Sequence, residues 1–335
     1  MTTSWEAAER VLCVRLDTAG DVLMSGPAMR ALRDSRPGRT IALLTSPPGA
    51  AIAALMPELD EAIVYAAPWM KGREPPLDVE VVERLRARDF DAAAIFTAFD
   101  QSPLPAALVC HQAGIPLRLA HSRDKPYALL TDWVPETELV HPTRHEVRRQ
   151  LDLVASVGAA TADERLALAL PAEAHERVRA LLPDSERWAV VHPGGTAPSR
   201  RYPPELWTEV CEALEIELVI TGDEAERELA AALPGRSLAG ELSLAELAAV
   251  IAAAPLLLTG NTGPAHVAAA LGTPVVDLYA LTNPQHTPWK AESRVLSHDV
   301  PCRWCYSSVC LTGHHLCLRG VAPAQVVAAA RALLG

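Results

Sequence analysis

Apolar runs and helically spaced apolar positions alternate along this 335-residue chain. Val11 to Leu16 is an almost unbroken apolar run and predicts a short buried strand. From Val22 to Arg33, Val22, Leu23, Met29 and Leu32 fall at helical spacing, and Pro37-Gly38 ends the pattern. Thr40–Leu44, Glu61–Tyr65 and Ala92–Phe96 predict further strands; Val79–Ala87, Pro103–Ala113 and the longer Thr143–Gly158 predict helices. Ala/Pro/Glu-rich sequence to about Pro171 then reads as a linker. The alternation restarts with strands at Trp188–His192, Glu217–Ile220, Leu256–Thr259 and Pro274–Leu278, and helices at Pro204–Leu214, Glu224–Leu233, Leu244–Ala253, His266–Leu271 and Pro323–Leu334. Strand–helix alternation of this kind predicts parallel sheets with right-handed crossovers, here in two doubly wound domains.

Composition agrees with two α/β domains. The length exceeds what one hydrophobic core usually serves. Half the residues are hydrophobic but only 4% are aromatic, so Ala, Val and Leu dominate, as suits helices packed on buried parallel strands. The formal net charge is −11; the first 150 residues hold 17 Lys+Arg against 20 Asp+Glu, and the remainder 13 against 21. Neither half is basic, which argues against nucleic acid as a partner. No apolar stretch reaches the length of a transmembrane helix and the first ten residues lack a signal-peptide pattern, so a cytoplasmic location is expected.

Ligands of doubly wound sheets sit beyond the carboxyl ends of strands, which selects four loops. In the first, Gly20 permits a tight turn, and Asp21 is either a helix N-cap or a carboxylate serving as a general base. No G-x-G-x-x-G follows the first strand, so a nicotinamide or flavin enzyme is disfavoured. In the second, Gly194 and Gly195 allow close backbone approach to a ligand, Thr196 and Ser199 add hydroxyls, and Arg200 and Arg201 offer charge-assisted bonds to a phosphate. The third, Thr221-Gly222-Asp223-Glu224, offers carboxylates for ribose hydroxyls or ordinary capping. The fourth runs Thr259-Gly260-Asn261-Thr262-Gly263-Pro264-Ala265-His266 into a small-residue helix, whose start is an anion site with His266 in the first turn.

These loops, in this order, resemble glycosyltransferase family 9, whose best-known members are the ADP-heptose:lipopolysaccharide heptosyltransferases. The shared features are an R-L-x-x-x-G-D-V opening at Arg15–Val22, an H-P-G-x-x-x-P-x-K-R-W-P loop at His192–Pro203 and an N-D-T-G-P-x-H-L-A-A-A-L-G-T-P segment at Gly260–Pro274. The resemblance implies a GT-B fold: an acceptor-binding domain at 1–165 and a donor-binding domain at 172–322, facing across a cleft, followed by a terminal helix at 323–335. It implies inverting, metal-independent transfer of a heptose or related sugar from an ADP-heptose-type nucleotide-sugar, with no cofactor and with cleft closure as part of catalysis. Asp21 matches the base, Arg200 a donor-phosphate contact, Glu224 an acidic residue near the ribose, and Thr262, Gly263 and His266 the diphosphate loop. The implied acceptor is a glycolipid, with peripheral contact at the inner membrane face. The non-basic N-terminal half leaves a small soluble glycoside open as the alternative. The chain departs from the family at Asn261, where Asp is usual, and at Arg200, where Lys is. Asn261 is the candidate reader of the sugar, and its neutrality motivates a second reading as a non-catalytic nucleotide-sugar-binding protein.

A tail at 302–317 carries Cys302, Cys305, Cys310 and Cys317 with His314 and His315 between them. Reduced structural thiols, a zinc site and two disulfides all fit the spacing; no metal is assigned, and the thiols are favoured. Cys13, Cys110 and Cys211 read as small core residues.

Overall fold

The computed structural model describes residues 4–70, 80–137, 144–185 and 187–335. They form two compact units, Met1–Ala167 and Leu168–Gly335. The first contains β1 (Arg10–Arg15), α1 (Ala19–Met24), α2 (Gly26–Asp34), β2 (Thr40–Thr45), α3 (Pro47–Ala53), β3 (Glu61–Val64), α4 (Glu80–Arg86), β4 (Ala92–Ile95), α5 (Leu104–Gln112), β5 (Leu117–Ser122), β6 (Asp132–Pro135) and α6 (Glu146–Ala155). The second contains α7 (Ala172–Arg179), β7 (Trp188–His192), α8 (Pro204–Leu214), β8 (Glu217–Ile220), α9 (Arg227–Ala231), β9 (Arg236–Ser237), α10 (Leu244–Ala253), β10 (Leu257–Gly260), α11 (Gly263–Leu271), β11 (Val275–Leu278), β12 (Ser293–Leu296), α12 (Leu316–Arg319) and α13 (Pro323–Leu334).

Each unit is built on a six-stranded parallel sheet, ordered β3-β2-β1-β4-β5-β6 and β12-β11-β10-β7-β8-β9. Both orders reverse at one place, between β1 and β4 and between β7 and β10. A crevice opens there because the loops that follow the two adjacent strands run to opposite faces of the sheet. The central strands are buried on both faces, which is why Val11–Arg15 and Trp188–His192 lack the alternation of a half-exposed strand.

Several elements depart from the sequence pattern for local reasons. The helix expected over Val22–Arg33 is two helices. Thr18 caps α1, so it starts at Ala19, and Pro27, which has no N–H to give and whose ring crowds the preceding turn, starts α2 separately. The helix expected over Glu224–Leu233 is a 3-10 turn, Glu224–Glu226, continuing into α9. Helices α3, α7 and α12 and strands β5, β6, β9 and β12 are additional to that pattern; most are short, edge-lying or punctuated by proline. Val79 and Thr143, placed at two helix starts, lie outside the described residues. Among the described residues no helix is long and apolar enough to cross a membrane.

The terminal helix α13 belongs to the second core. Val326, Val327 and Ala330 pack with Trp207, Val210, Leu258 and Val276. Tyr202 stands edge-on to Trp207 at 5.3 Å between ring centroids, and its hydroxyl donates to the Val321 carbonyl at 2.6 Å. That bond fixes the chain entering α13 to the loop entering α8. Trp207→Ala opens a large cavity at this junction and is expected to cost about 3–5 kcal/mol. Urea denaturation checks this; a loss within experimental error would mean the junction is not tightly packed.

Candidate functional site

In the first unit the site begins with a charge in an apolar strand. Arg15, at the end of β1, is fully buried. Its guanidinium meets Asp17 at 2.8 Å, Glu146 at 2.8 Å and Asp21 at 3.3 Å. Burial of a guanidinium is tolerable only with such partners. Glu146, also fully buried, is held by Gln150 Nε2 at 2.7 Å and lies 3.8 Å from Arg149, which is itself bound to Glu136. Asp17 accepts a second bond from Gln101 Nε2 at 2.7 Å. Burial and the neighbouring carboxylates push the Asp17 carboxyl up from its ordinary range, against the pull of Arg15.

Asp21 is not the N-cap. It sits in the first turn of α1, where its Oδ2 accepts from the N–H (3.2 Å) and hydroxyl (2.6 Å) of the N-cap residue Thr18. The other oxygen faces Arg15. The carboxylate is therefore fixed in direction and remains about one-fifth exposed. Gly20, beside it, is buried within α1.

In the second unit the loops after β7 and β10 lie side by side: a Cβ on Gly195 would stand 2.9 Å from Thr262 Cγ2. Thr259 Oγ1 donates to the His192 carbonyl at 3.0 Å and so ties the two strand ends. A Cβ on Gly260 would stand 2.8 Å from the Arg200 carbonyl oxygen, so only glycine lets the Arg200 backbone lie on the end of β10. Thr262 caps α11, Gly263 opens it and His266 is buried within it. Of the two arginines, Arg201 donates from Nε to the Gly195 carbonyl at 2.7 Å. Arg200 is half-buried, and its Nε has no hydrogen-bond partner among the described residues.

Several of the expected site residues have neighbours that the sequence does not mark. Gly194 makes room for Glu226: a Cβ there would collide with the Glu226 carboxylate, which accepts the Gly195 N–H at 2.7 Å and the Asp223 N–H at 3.0 Å. Gly222 is likewise packed against Glu226. Glu224 and Thr196 are exposed, and Glu224 pairs with Arg227 at 2.7 Å. Asn261, the expected reader of the sugar, is buried, and its Oδ1 accepts the Ala280 N–H at 3.2 Å. A neutral carboxamide costs less to bury there than a carboxylate, which gives the departure from Asp a structural explanation. Glu226 carries no marker in the sequence that separates it from its neighbours; Arg15 does, being a charge inside an apolar strand.

The cysteine tail braces the loop after β7. Ser199 N–H donates to the Ser308 carbonyl at 3.0 Å, His315 Nε2 lies 2.9 Å from the Ser199 carbonyl, and Tyr306 N–H donates to Leu281 at 3.0 Å. The four tail cysteines are free thiols, with Cys302 Sγ 3.6 Å from His314 Nε2. Among the described residues no group of three or more His, Cys, Asp or Glu is placed to hold a metal ion. Cys13, Cys110 and Cys211 are buried.

Comparison with known proteins agrees with this layout. Residues 79–315 match the family described as glycosyltransferase family 9 (heptosyltransferase). Lipopolysaccharide heptosyltransferase 2 of Escherichia coli (strain K12) is 27% identical over 355 aligned positions, covering 97% of this chain and 98% of that protein. The solved structure of E. coli ADP-heptose LPS heptosyltransferase II superposes with a TM-score of 0.75 at 25% identity, covering 97% of this chain and 98% of that one. That of the glycosyl transferase family 9 from Veillonella parvula DSM 2008 superposes at 0.79 with 20% identity, covering 100% and 98%. The fold is therefore the α/β GT-B type of these enzymes.

One buried acid stands apart from these loops. Asp277, opposite Thr259 in the β10–β11 ladder, is fully buried, and neither carboxyl oxygen has a hydrogen-bond partner among the described residues. Burial pushes its carboxyl up to about 8, against the pull of the Arg200 charge. A carboxyl raised above its unfolded value holds its proton in the folded state while the unfolded chain has released it. Stability attributable to it is therefore full below pH about 4 and falls as pH rises toward 8. Thermal melts of Asp277→Asn against the wild type across pH 5–9 are expected to show a shallower decline in the variant; parallel curves would contradict the assignment.

Proposed function

Because the chain belongs to glycosyltransferase family 9, we propose that it transfers a heptose or closely related sugar, with inversion, from an ADP-heptose-type donor to an acceptor hydroxyl. The supporting relatives are named as lipopolysaccharide heptosyltransferase 2 and as an ADP-heptose LPS heptosyltransferase. The observation that carries the reading is the fixed carboxylate of Asp21, aimed by Thr18 and Arg15 at the carboxyl end of β1.

In this reading the first unit holds the acceptor and the second the donor. Asp21 takes the proton of the acceptor hydroxyl as its oxygen bonds to the anomeric carbon, and the bond from that carbon to the nucleoside diphosphate breaks. The departing diphosphate gains negative charge. Arg200 and the positive end of α11, at Thr262 and Gly263, meet that charge without a metal. His266, buried in the first turns of α11, shapes the same loop. Thr196 and Glu224 are exposed on neighbouring loops of this unit, where a nucleoside ribose would be met. Buried Asn261 acts through the backbone it ties to Ala280, so its neutrality lends no support to a non-catalytic role. The chain acts in lipopolysaccharide-type glycan assembly on the cytoplasmic side in this account.

Asp21→Ala is expected to abolish transfer from ADP-heptose, a loss of about two to four orders of magnitude for a missing general base, while ADP affinity measured by calorimetry stays at the wild-type value. Transfer surviving in Asp21→Ala would exclude Asp21 as the base. Arg200→Ala is expected to weaken ADP binding by about ten-fold or more, the worth of a charge-assisted phosphate contact; unchanged binding would remove Arg200 from the diphosphate site.

A further inference from the structure

Two buried polar groups of opposite sign lie close together at the end of the second sheet. Asp277 is fully buried in β11, and neither of its carboxyl oxygens has a hydrogen-bond partner among the described residues. Val276 and Leu278 on either side of it turn into the core with Trp207 and Val326, so Asp277 points to the opposite face, beside Thr259 of β10. Leu278 is the ladder partner of Gly260, against which the Arg200 carbonyl lies. The Arg200 Nε is also buried, with no hydrogen-bond partner among the described residues. Burial pushes the Asp277 carboxyl up to about 8, and the Arg200 charge opposes that rise. The elements packed on β11 bring few other ionisable groups near. β10 carries none; Arg294 of β12 and Arg331 of α13 are exposed, and Arg331 donates to the Ala213 carbonyl. His266 of α11 is buried. Tyr279, two residues on in the chain, gives its hydroxyl to Thr282 and Asn283, and burial raises its pKa above the ordinary range.

A carboxylate buried without partners is costly, so Asp277 either keeps its proton or draws the nearest cation. A guanidinium cannot shed its proton and needs an anion. We infer that Asp277 is a positioning residue for the donor: its carboxylate draws the Arg200 guanidinium inward while the site is empty and, on taking a proton, releases that guanidinium to the diphosphate. The inference rests on Arg200 as a diphosphate contact and deepens that reading. A bound diphosphate engages the guanidinium and brings negative charge toward the carboxylate. Both changes favour the neutral carboxyl, so ADP binding draws a proton from the buffer onto an Asp277 oxygen. The protonated form is the one that binds. Affinity is therefore full below the carboxyl's pKa in the empty protein and falls as pH rises through about 8.

The test is calorimetric titration of the full-length protein with ADP across pH 7–9. The wild type is expected to lose about ten-fold in affinity over that range. Asp277→Asn, which keeps the shape and cannot ionise, should lose far less, so that at pH 9 it binds ADP more tightly than the wild type. Misfolding does not produce such a gain. In an Arg200→Ala background the gain should vanish. A measurement on the wild type alone complements these variants: at pH 8, in buffers of different ionisation heat, binding should take up about half a proton per ADP. Parallel pH curves for wild type and Asp277→Asn, no proton uptake, or a gain that survives in Arg200→Ala would overturn the inference. If Arg200→Ala weakens ADP binding and the two pH curves are parallel, the inference alone falls. If Arg200→Ala leaves ADP binding unchanged, the diphosphate reading of Arg200 falls and takes the inference with it.

Discussion

The first unit depends on one guanidinium. Arg15 ends a strand whose other residues are almost all apolar, and at full burial it must find its partners inside the protein. It finds three carboxylates, and each comes from a different piece of the chain: Asp17 from the loop after β1, Asp21 from α1 and Glu146 from α6. Removing one member of such a set strands buried charge, a loss of about 3–5 kcal/mol in measured cases. The same interaction that makes the strand end tolerable therefore fixes the direction of Asp21. The candidate base, the loop at Asp17 and the last helix of the unit are set by a single side chain.

The second unit solves the matching problem with backbone. Gly195 and Gly260 let the loops after β7 and β10 crowd the switch point between those strands, and Glu226 fills the space beside Gly194 and Gly222. Small residues in α11 keep it close to the sheet, with its positive end beside Arg200's loop. The cysteine tail then packs over that loop through Ser199. Where the first unit presents negative charge and hydroxyl-bonding groups, the second presents a guanidinium and a helix start. That division suits an acceptor to be deprotonated in one and a diphosphate to be held in the other.

Much of this was legible in the sequence because parallel sheets demand long apolar strands and punctuated loops. Trp188–His192, Glu217–Ile220, Pro204–Leu214 and Leu244–Ala253 have the bounds that the apolar pattern predicts, each between clear caps or breakers. The loops at 17–21, 193–202 and 260–266 fall at strand ends as expected. What the pattern misses is where a side chain turns. Asp21 looks like a cap and instead reaches back to one. Asn261 looks like a ligand contact, and its Oδ1 is turned to the Ala280 N–H. Glu226 is one acidic residue among several after β8, and only the space beside Gly194 distinguishes it. Those outcomes depend on contacts distant in sequence, which local spacing does not encode.

The central claim is that this protein moves a heptose from a nucleoside diphosphate. Its most direct test is mass spectrometry of the purified protein incubated with a panel of nucleotide-sugars, ADP-heptose among them, and a heptose-free lipopolysaccharide core acceptor. The account predicts consumption of ADP-heptose, release of ADP and a gain of one heptose in the acceptor. Consumption of a nucleotide-hexose alone, or of no donor at all, would contradict it.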